Sequence, residues 1–283
     1  MLGFGHVSKR LLRALLPGAL VALGSGPGAA APARVVSMNL CTDALAMALA
    51  APGQLVSISF LAADPMVSAV AQAARAYPQN HGQAEEIFLL HPDMVLAGPY
   101  SSRATLALLR RLGVPVAVIP APQALDRVPE AIQAVGRAIG REAAAQTMAE
   151  AFSARLARLR AAALPAERAA LYGPSGFTSG PGTLADDILT AAGYRNIAAE
   201  AGLRGYARLP LERLILAWPQ LVVTSRSYPG ASRPEAILHH PALRALEADI
   251  GPPALMGPDW DCAAPQLLDA IAGLEARHAG ARP

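Results

Sequence analysis

The sequence predicts an α/β fold of two lobes, each on a parallel sheet, joined by one long helix with a cleft between the lobes. Three observations predict it. A helix-to-strand unit occurs twice, as AEEIFLLHPDMVLAG over 84–98 and LERLILAWPQLVVT over 211–224. A strand running through a loop into a helix start also occurs twice, at residues 34–49 and 169–192. Between these repeats, residues 141–163 contain neither glycine nor proline.

In the first repeat, Glu85 stands seven residues before Pro92, and Glu212 stands seven before Pro219. A short amphipathic helix ends before each proline, because the ring disfavours helical backbone at the preceding residue. An apolar strand follows at once, and helix followed by buried strand is the repeating unit of a parallel sheet. After the first such strand come Tyr100, Ser101, a helix over Thr105–Leu112 ended by Gly113, and a strand over Val114–Ile119.

In the second repeat, the strand Arg34–Met38 enters Asn39-Leu40-Cys41-Thr42-Asp43 and then ALAMALA, while Ala169–Tyr172 enters GPSGFTSGPGT and then LADDILTAAG. Thr42 and Thr183 are the expected N-caps, and the acids that follow favour the helix dipole. In the middle, Leu125–Ile139 is amphipathic, with Pro129 in its first turn and Gly140 at its end. The Ala-, Leu- and Arg-rich stretch Arg141–Ala163 follows, a helix about 34 Å long at 1.5 Å per residue. The expected boundaries are 1–33, an N-terminal lobe 34–122, a helical linker 123–165 and a C-terminal lobe 166–283.

Residues 1–33 read as a cleavable export signal. Lys9, Arg10 and Arg13 form a basic start, Ala14–Leu23 a short apolar core, and Ala31-Pro32-Ala33 a small-x-small cleavage site. The mature chain is expected to begin near Arg34, in the periplasm. The three bases of this segment account for the net charge of +3, since the rest of the chain carries 21 bases and 21 acids. A balanced chain has no electrostatic footprint for nucleic acid. With 53% hydrophobic and 16% charged residues, the chain is able to bury a core and is not disordered. Lys9 is the sole lysine, so arginine is the default base here and each single arginine carries less functional information. The two cysteines, Cys41 and Cys262, sit at apparent helix starts near opposite ends of the chain. An oxidising compartment permits a bridge between them, but pairing does not follow from sequence, and two separate thiols are the favoured expectation.

The order and spacing of RVVSMNLCTDAL, AEEIFLLHPDMVLAG, the long linker helix, GTLADDILTAAGYRNIAAE, LERLILAWPQLVV and DWDCAAPQLLDAI carry a resemblance. Across nearly all of 34–275, the chain resembles the helical-backbone class of periplasmic substrate-binding proteins, which serve ABC importers of vitamin B12, ferric siderophores and haem. The resemblance implies two Rossmann-like lobes and a monomer that captures an iron or cobalt chelate and delivers it to a permease dimer. It also implies that Glu85 and Glu212, one on each lobe, dock on that permease, with Glu86 the nearest competitor for the role.

In open parallel sheets, ligands bind beyond the carboxyl ends of the strands. That rule selects the loops Asn39–Thr42, Tyr100–Arg103, Phe177–Thr183 and Arg226–Tyr228. The candidate ligand contacts in these loops are Asn39, Cys41, Tyr100, Arg103, Phe177 and Arg226; the resemblance implies that Leu203–Arg208 also reaches the cleft and adds Arg204, Tyr206 and Arg208, and Trp260 is expected to line or buttress it. Aromatic side chains offer apolar area with a polar tip for a large chelate, and the arginines would pair with acidic groups. Trp260 is expected at the opening of the last helix. No cofactor is expected beyond the chelate itself. The histidines lack i, i+3 or i, i+4 ligand spacing and there is no CxxC, so no protein metal site is expected. With a haem ligand, the axial candidates would be Tyr100, Tyr206 and His81. No GxSxG, Walker loop or GxGxxG is present, which argues against an enzyme. The competing reading is a periplasmic enzyme or chaperone for metal complexes on the same fold.

Overall fold

A computed structural model describes residues 1–3, 31–227, 230 and 232–280. Most of the proposed export signal, residues 4–30, and Tyr228 lie outside the described residues.

The first sheet consists of β1 (Val35–Ser37), β2 (Leu55–Ser59), β3 (Gln79–Asn80), β4 (Met94–Ala97) and β5 (Val116–Val118). Its strands are all parallel in the order β3-β2-β1-β4-β5, with β1 and β4 in the middle. The second sheet consists of β6 (Glu167–Leu171), β8 (Tyr194–Asn196), β10 (Leu221–Ser225) and β11 (Ala254–Met256), parallel in the order β11-β10-β6-β8. Between β6 and β8 the chain forms β7 (Phe177–Ser179), which pairs antiparallel with β9 (Tyr206–Arg208). Phe177–Ser179 is therefore one edge of a two-stranded ribbon, where the sequence had suggested an irregular Gly-rich loop.

Strand periodicity explains how the sheets are covered. Val35 and Leu96 face one side of the first sheet, while Val36, Val95 and Ala97 face the other. Ala169, Leu171, Leu221 and Val223 likewise oppose Ala170 and Val222 in the second sheet. Successive side chains of a strand point to opposite faces, so each sheet buries two layers. The outer layers are separate. In the first lobe they are α3 (Ala84–Phe88) and α4 (Arg103–Arg111), contributing Ile87, Leu106 and Leu109. In the second they are α8 (Ile197–Glu200), α9 (Leu211–Ala217) and α10 (Pro241–Ile250), contributing Ile197, Leu214, Leu243 and Leu246. A four-residue helix, α2 (Ala71–Ala74), leads from β2 toward β3.

The inner layers of both sheets share one apolar core. It is built by α1 (Leu40–Leu49), α5 (Val128–Ala138), α6 (Glu142–Ala162), α7 (Leu184–Ala191) and α11 (Leu267–Gly280). The long linker helix is α6, with 21 residues. It buries Ala145, Ala149, Phe152 and Leu156, a narrow stripe at helical spacing. A Cβ at Gly136 would lie 2.2 Å from the Ala145 Cβ, so α5 and α6 reach their observed contact because residue 136 lacks a side chain.

Three local expectations are corrected. Asn39, rather than Thr42, caps α1: its side chain accepts from the Cys41 and Thr42 backbone N–H groups at 3.1 and 3.4 Å. Thr42 instead turns its hydroxyl to the Asn39 carbonyl at 2.9 Å and to Ser37 Oγ at 2.7 Å. Trp260 closes a short 3-10 turn, Pro258–Trp260, and the last helix begins only at Leu267. Pro265 lacks an N–H and restricts the residue before it, which fits a start after that point. Finally, Cys41 and Cys262 form a disulfide, with Cα atoms 5.0 Å apart. The expectation of separate thiols came from a separation of 221 residues in the chain, which says nothing about distance in space.

Candidate functional site

All strands of the first sheet run the same way, so the segments leaving β1, β4 and β5 emerge on one edge. The chain leaves β1 to one side and β4 to the other, making their boundary the topological switch point. Asn39 follows β1, Gly98-Pro99-Tyr100 follows β4, and Ile119–Gln123 follows β5. These segments line one side of a cavity of about 370 Å³. Gly98 is required here, since a Cβ at that position would lie 2.9 Å from the Asn39 side chain. The second lobe supplies Leu184 and Ala185 from α7, Tyr206 from β9, and Trp260, Asp261 and Ala263 from the segment after β11.

Five of the ten candidate contacts line this cavity: Asn39, Cys41, Tyr100, Tyr206 and Trp260. Tyr100 and Tyr206 are strongly exposed, at 86% and 72%, as expected of aromatics at an open mouth. The Tyr206 hydroxyl donates to Gln123 Oε1 at 3.4 Å, joining the ribbon of the second lobe to the loop after β5. Arg226 lines a second cavity of about 450 Å³, with Leu40, Leu61, Met66, Val67, Ser225, Met256, Gly257 and Asp261. This cavity lies beyond the carboxyl ends of β2, β10 and β11, so it continues the same cleft. Phe177 and Arg208 pair with each other across the ribbon, the guanidinium lying 4.9 Å from the ring centroid. Arg103 and Arg204 are exposed, and neither they, Phe177 nor Arg208 line either cavity.

The acid in the cleft is Asp261, which borders both cavities. Desolvation, followed by the charge of nearby Asp259, pushes its carboxyl up to about 6. Asp259 is raised as well, chiefly by burial. The wall of the main cavity thus combines three aromatic rings, two amides and one carboxyl, with no lining arginine. Among the described residues, no group of three or more His, Cys, Asp or Glu side chains is arranged to hold a metal ion.

His81 lies away from both cavities. Its ring stacks on Phe60 at 5.2 Å between centroids, and its backbone N–H donates to Glu86 Oε2 at 2.7 Å. That contact separates the two neighbouring acids. Glu86 is engaged with His81, whereas Glu85 is exposed and makes no side-chain hydrogen bond or ion pair among the described residues. Glu212 is exposed in the same position of α9.

The sequence reading missed Gly98, Pro99, Pro120–Gln123, Leu184, Ala185 and Asp261 as cavity walls. The signal for Pro120–Gln123 was present: the strand before it was legible, and the strand-end rule extends to the loop that follows. Leu184, Ala185 and Asp261 carried no such signal, because each faces the cavity only through the packing of the two lobes.

A periplasmic binding protein family model matches residues 35–249. A cobalamin-binding protein of Halobacterium salinarum is 31% identical over 148 residues, which covers 50% of this chain and 40% of that protein's length. Among solved structures, a periplasmic haem-binding protein from Pseudomonas aeruginosa has a TM-score of 0.69 at 25% identity, covering 87% of this chain and 92% of its own. A periplasmic vitamin B12-binding protein of Vibrio cholerae has a TM-score of 0.63 at 22% identity, covering 88% and 98%. Fold, cleft position and family match converge: this chain belongs to the periplasmic binding protein family.

Proposed function

We propose that the protein is the periplasmic substrate-binding component of an ABC importer, which captures a metal chelate and delivers it to the permease. The chelate is a corrinoid, a ferric siderophore or haem. The observation that carries this reading is the cleft itself: Tyr100, Tyr206 and Trp260 converge from two lobes on one cavity, with Asn39 and Gln123 supplying polar contacts. Aromatic walls suit a bulky ligand with apolar faces and a polar rim. A chelate brings its own metal, so such a site needs no cluster of protein ligands. The cobalamin- and haem-binding relatives support the same class. If the cargo is haem, Tyr100 and Tyr206 are the phenols within reach of it.

Glu85 and Glu212 then serve as paired docking acids, because equivalent exposed positions on two similar lobes match a two-fold permease. Residues 1–33 direct export and are removed. The working units are the lobes 34–122 and 166–283, with residues 123–165 as the helical connection, and the protein acts as a monomer. Binding and release without turnover is the whole activity.

Titration with cyanocobalamin, haem and a ferric hydroxamate tests the reading. At 100 times its dissociation constant, a true ligand adds about 2.7 kcal/mol of stability. Tyr206→Ala should weaken binding of that ligand about 5- to 150-fold, while Tyr77→Ala, which packs against the core, should leave affinity unchanged. Absence of a melting shift with every chelate would overturn the assignment, and product formation would replace it with an enzyme.

A further inference from the structure

The Cys41–Cys262 bridge lies where the two lobes meet. Cys41 stands in the first turn of α1, directly after the central strand of the first sheet. Cys262 follows β11 of the second sheet, past the Pro258–Trp260 turn. The bridge is therefore a second covalent connection between the lobes, on the cleft side, in addition to the α5–α6 connection. It also stands between the two cavities. Cys41 lines the Tyr100 cavity, its chain neighbour Leu40 lines the Arg226 cavity, and Asp261 lines both.

We infer that the Cys41–Cys262 disulfide is a specificity-determining tether: it fixes the width of the cleft and confines the chelate to the Tyr100–Tyr206–Trp260 compartment. This inference rests on the chelate-binding reading of that cleft. The physical reason is geometric. A disulfide holds its Cα atoms within about 4.4–6.8 Å, so from 5.0 Å the wall at this point is able to widen by only about 2 Å. Without the bridge, only non-covalent contacts join the lobes on the cleft side: the apolar cluster that Cys262, Ala263 and Ala264 share with Ala44 and Leu45, the hydrogen bond from the Leu125 N–H to Asp187 Oδ2 at 3.0 Å, and contacts between side chains. The Tyr206–Gln123 hydrogen bond at 3.4 Å is one such contact, between exposed side chains. The shared core on the inner faces would then act as the hinge, and the partition formed by Leu40, Cys41 and Asp261 would be free to separate. Two compartments of about 370 and 450 Å³ would become one. The oxidised protein thus presents a preformed, size-limited site, and the reduced protein a wider and less selective one.

The redox step is ordinary thiol–disulfide exchange. A dithiol reductant supplies two electrons and two protons, the S–S bond breaks, Cys41 and Cys262 become thiols, and the reductant closes into a cyclic disulfide.

Amide hydrogen exchange on the purified protein, oxidised and dithiol-reduced, tests the tether without any ligand. Reduction should speed exchange at least tenfold at Asp43, Trp260 and Ala264, whose amides are hydrogen-bonded beside the bridge, while α9 and α10 stay unchanged. Stopped-flow release of cyanocobalamin, haem and a ferric hydroxamate supplies the second measurement, with the release rate of whichever binds rising at least tenfold on reduction. The Cys41→Ser/Cys262→Ser variant should behave as the reduced protein and ignore the dithiol. If that variant fails to fold, reversible reduction of the native protein still decides the matter. Equal exchange in the oxidised and reduced protein overturns the tether, whatever the ligand result. If none of cyanocobalamin, haem and a ferric hydroxamate binds while exchange still responds to reduction, the chelate reading fails and the tether stands.

Discussion

Asn80 in the first lobe and Asn196 in the second hold their loops in the same way. Each lies at the end of a parallel strand, and each side-chain oxygen accepts from a backbone N–H two residues on, Gly82 at 3.2 Å and Ala198 at 3.0 Å. Each amide then donates across to the carbonyl of the last residue of another strand, Ser37 of β1 at 2.9 Å and Ser179 of β7 at 2.7 Å. The difference lies in the acid beside it. In the first lobe Asp43 is fully buried and accepts from the Ser59 backbone and hydroxyl, while Asn80 donates its second bond to Ser57. In the second lobe Asn196 itself donates to Asp186 at 2.7 Å. Burial raises both carboxyls, and Asp43 reaches about 6. Two loops with little sequence in common are thus held rigid by one amide device, with a hydroxyl serving the buried acid in one lobe and an amide in the other.

The sharpest test of lobe equivalence is transport. Glu85→Arg and Glu212→Arg together should abolish uptake while leaving chelate affinity in solution unchanged, and each single reversal should cost a similar share. Normal uptake by the double variant would break the pairing, and loss from only one position would make docking one-sided.

The next effect is in stability against pH. Asp43 has a folded-state value raised from 3.8 to about 6, so the folded protein holds a proton that the unfolded chain has lost. Stability therefore falls as pH rises through that window, by about 3 kcal/mol. Asp43→Asn should remove this slope and leave the protein more stable than the parent at pH 7, where the Ser59 hydroxyl is able to turn and accept from the new amide. Asp186→Asn should act in the same direction but more weakly, because its amide oxygen still accepts from Asn196 and the carboxyl it replaces is less deeply buried. Denaturant unfolding at pH 4.5 and 7 measures both. A gain at Asp186 as large as that at Asp43 would remove the distinction between the two acids.

The smallest effect concerns the turns after α3 and α9. His91 and Trp218 both adopt left-handed backbone, with φ of 48° and 45°, immediately before proline. Such a conformation costs a side-chain-bearing residue about 1–2 kcal/mol. His91→Gly should raise stability by about 1 kcal/mol in thermal unfolding. Trp218→Gly should gain less, because the larger ring loses its packing. An unchanged or lower melting temperature for His91→Gly would show that the turn carries no strain worth relieving.

That pair also marks how far the sequence could be read. Glutamate seven residues before proline, followed by an apolar run, was enough to identify both helix-to-strand units, because amphipathic spacing and proline stereochemistry act within a few residues. The linker helix was legible for the same reason, as a long stretch with no breaker, and so were the strand-end loops holding Asn39 and Tyr100. The left-handed turn before each proline was not legible, since neither His nor Trp advertises positive φ as glycine does.

What the sequence determined by itself was therefore local: the alternating strands, the repeated units, the linking helix and the likeness of one half to the other. Only the tertiary structure decided which residues face each other across the cleft. The ribbon pairing Phe177 with Arg208, the placement of Asp261 between two cavities and the Cys41–Cys262 bridge all join segments distant in the chain. Those contacts depend on how two sheets share the core around α5 and α6, and a distance of that kind has no signature in the spacing of residues along the chain.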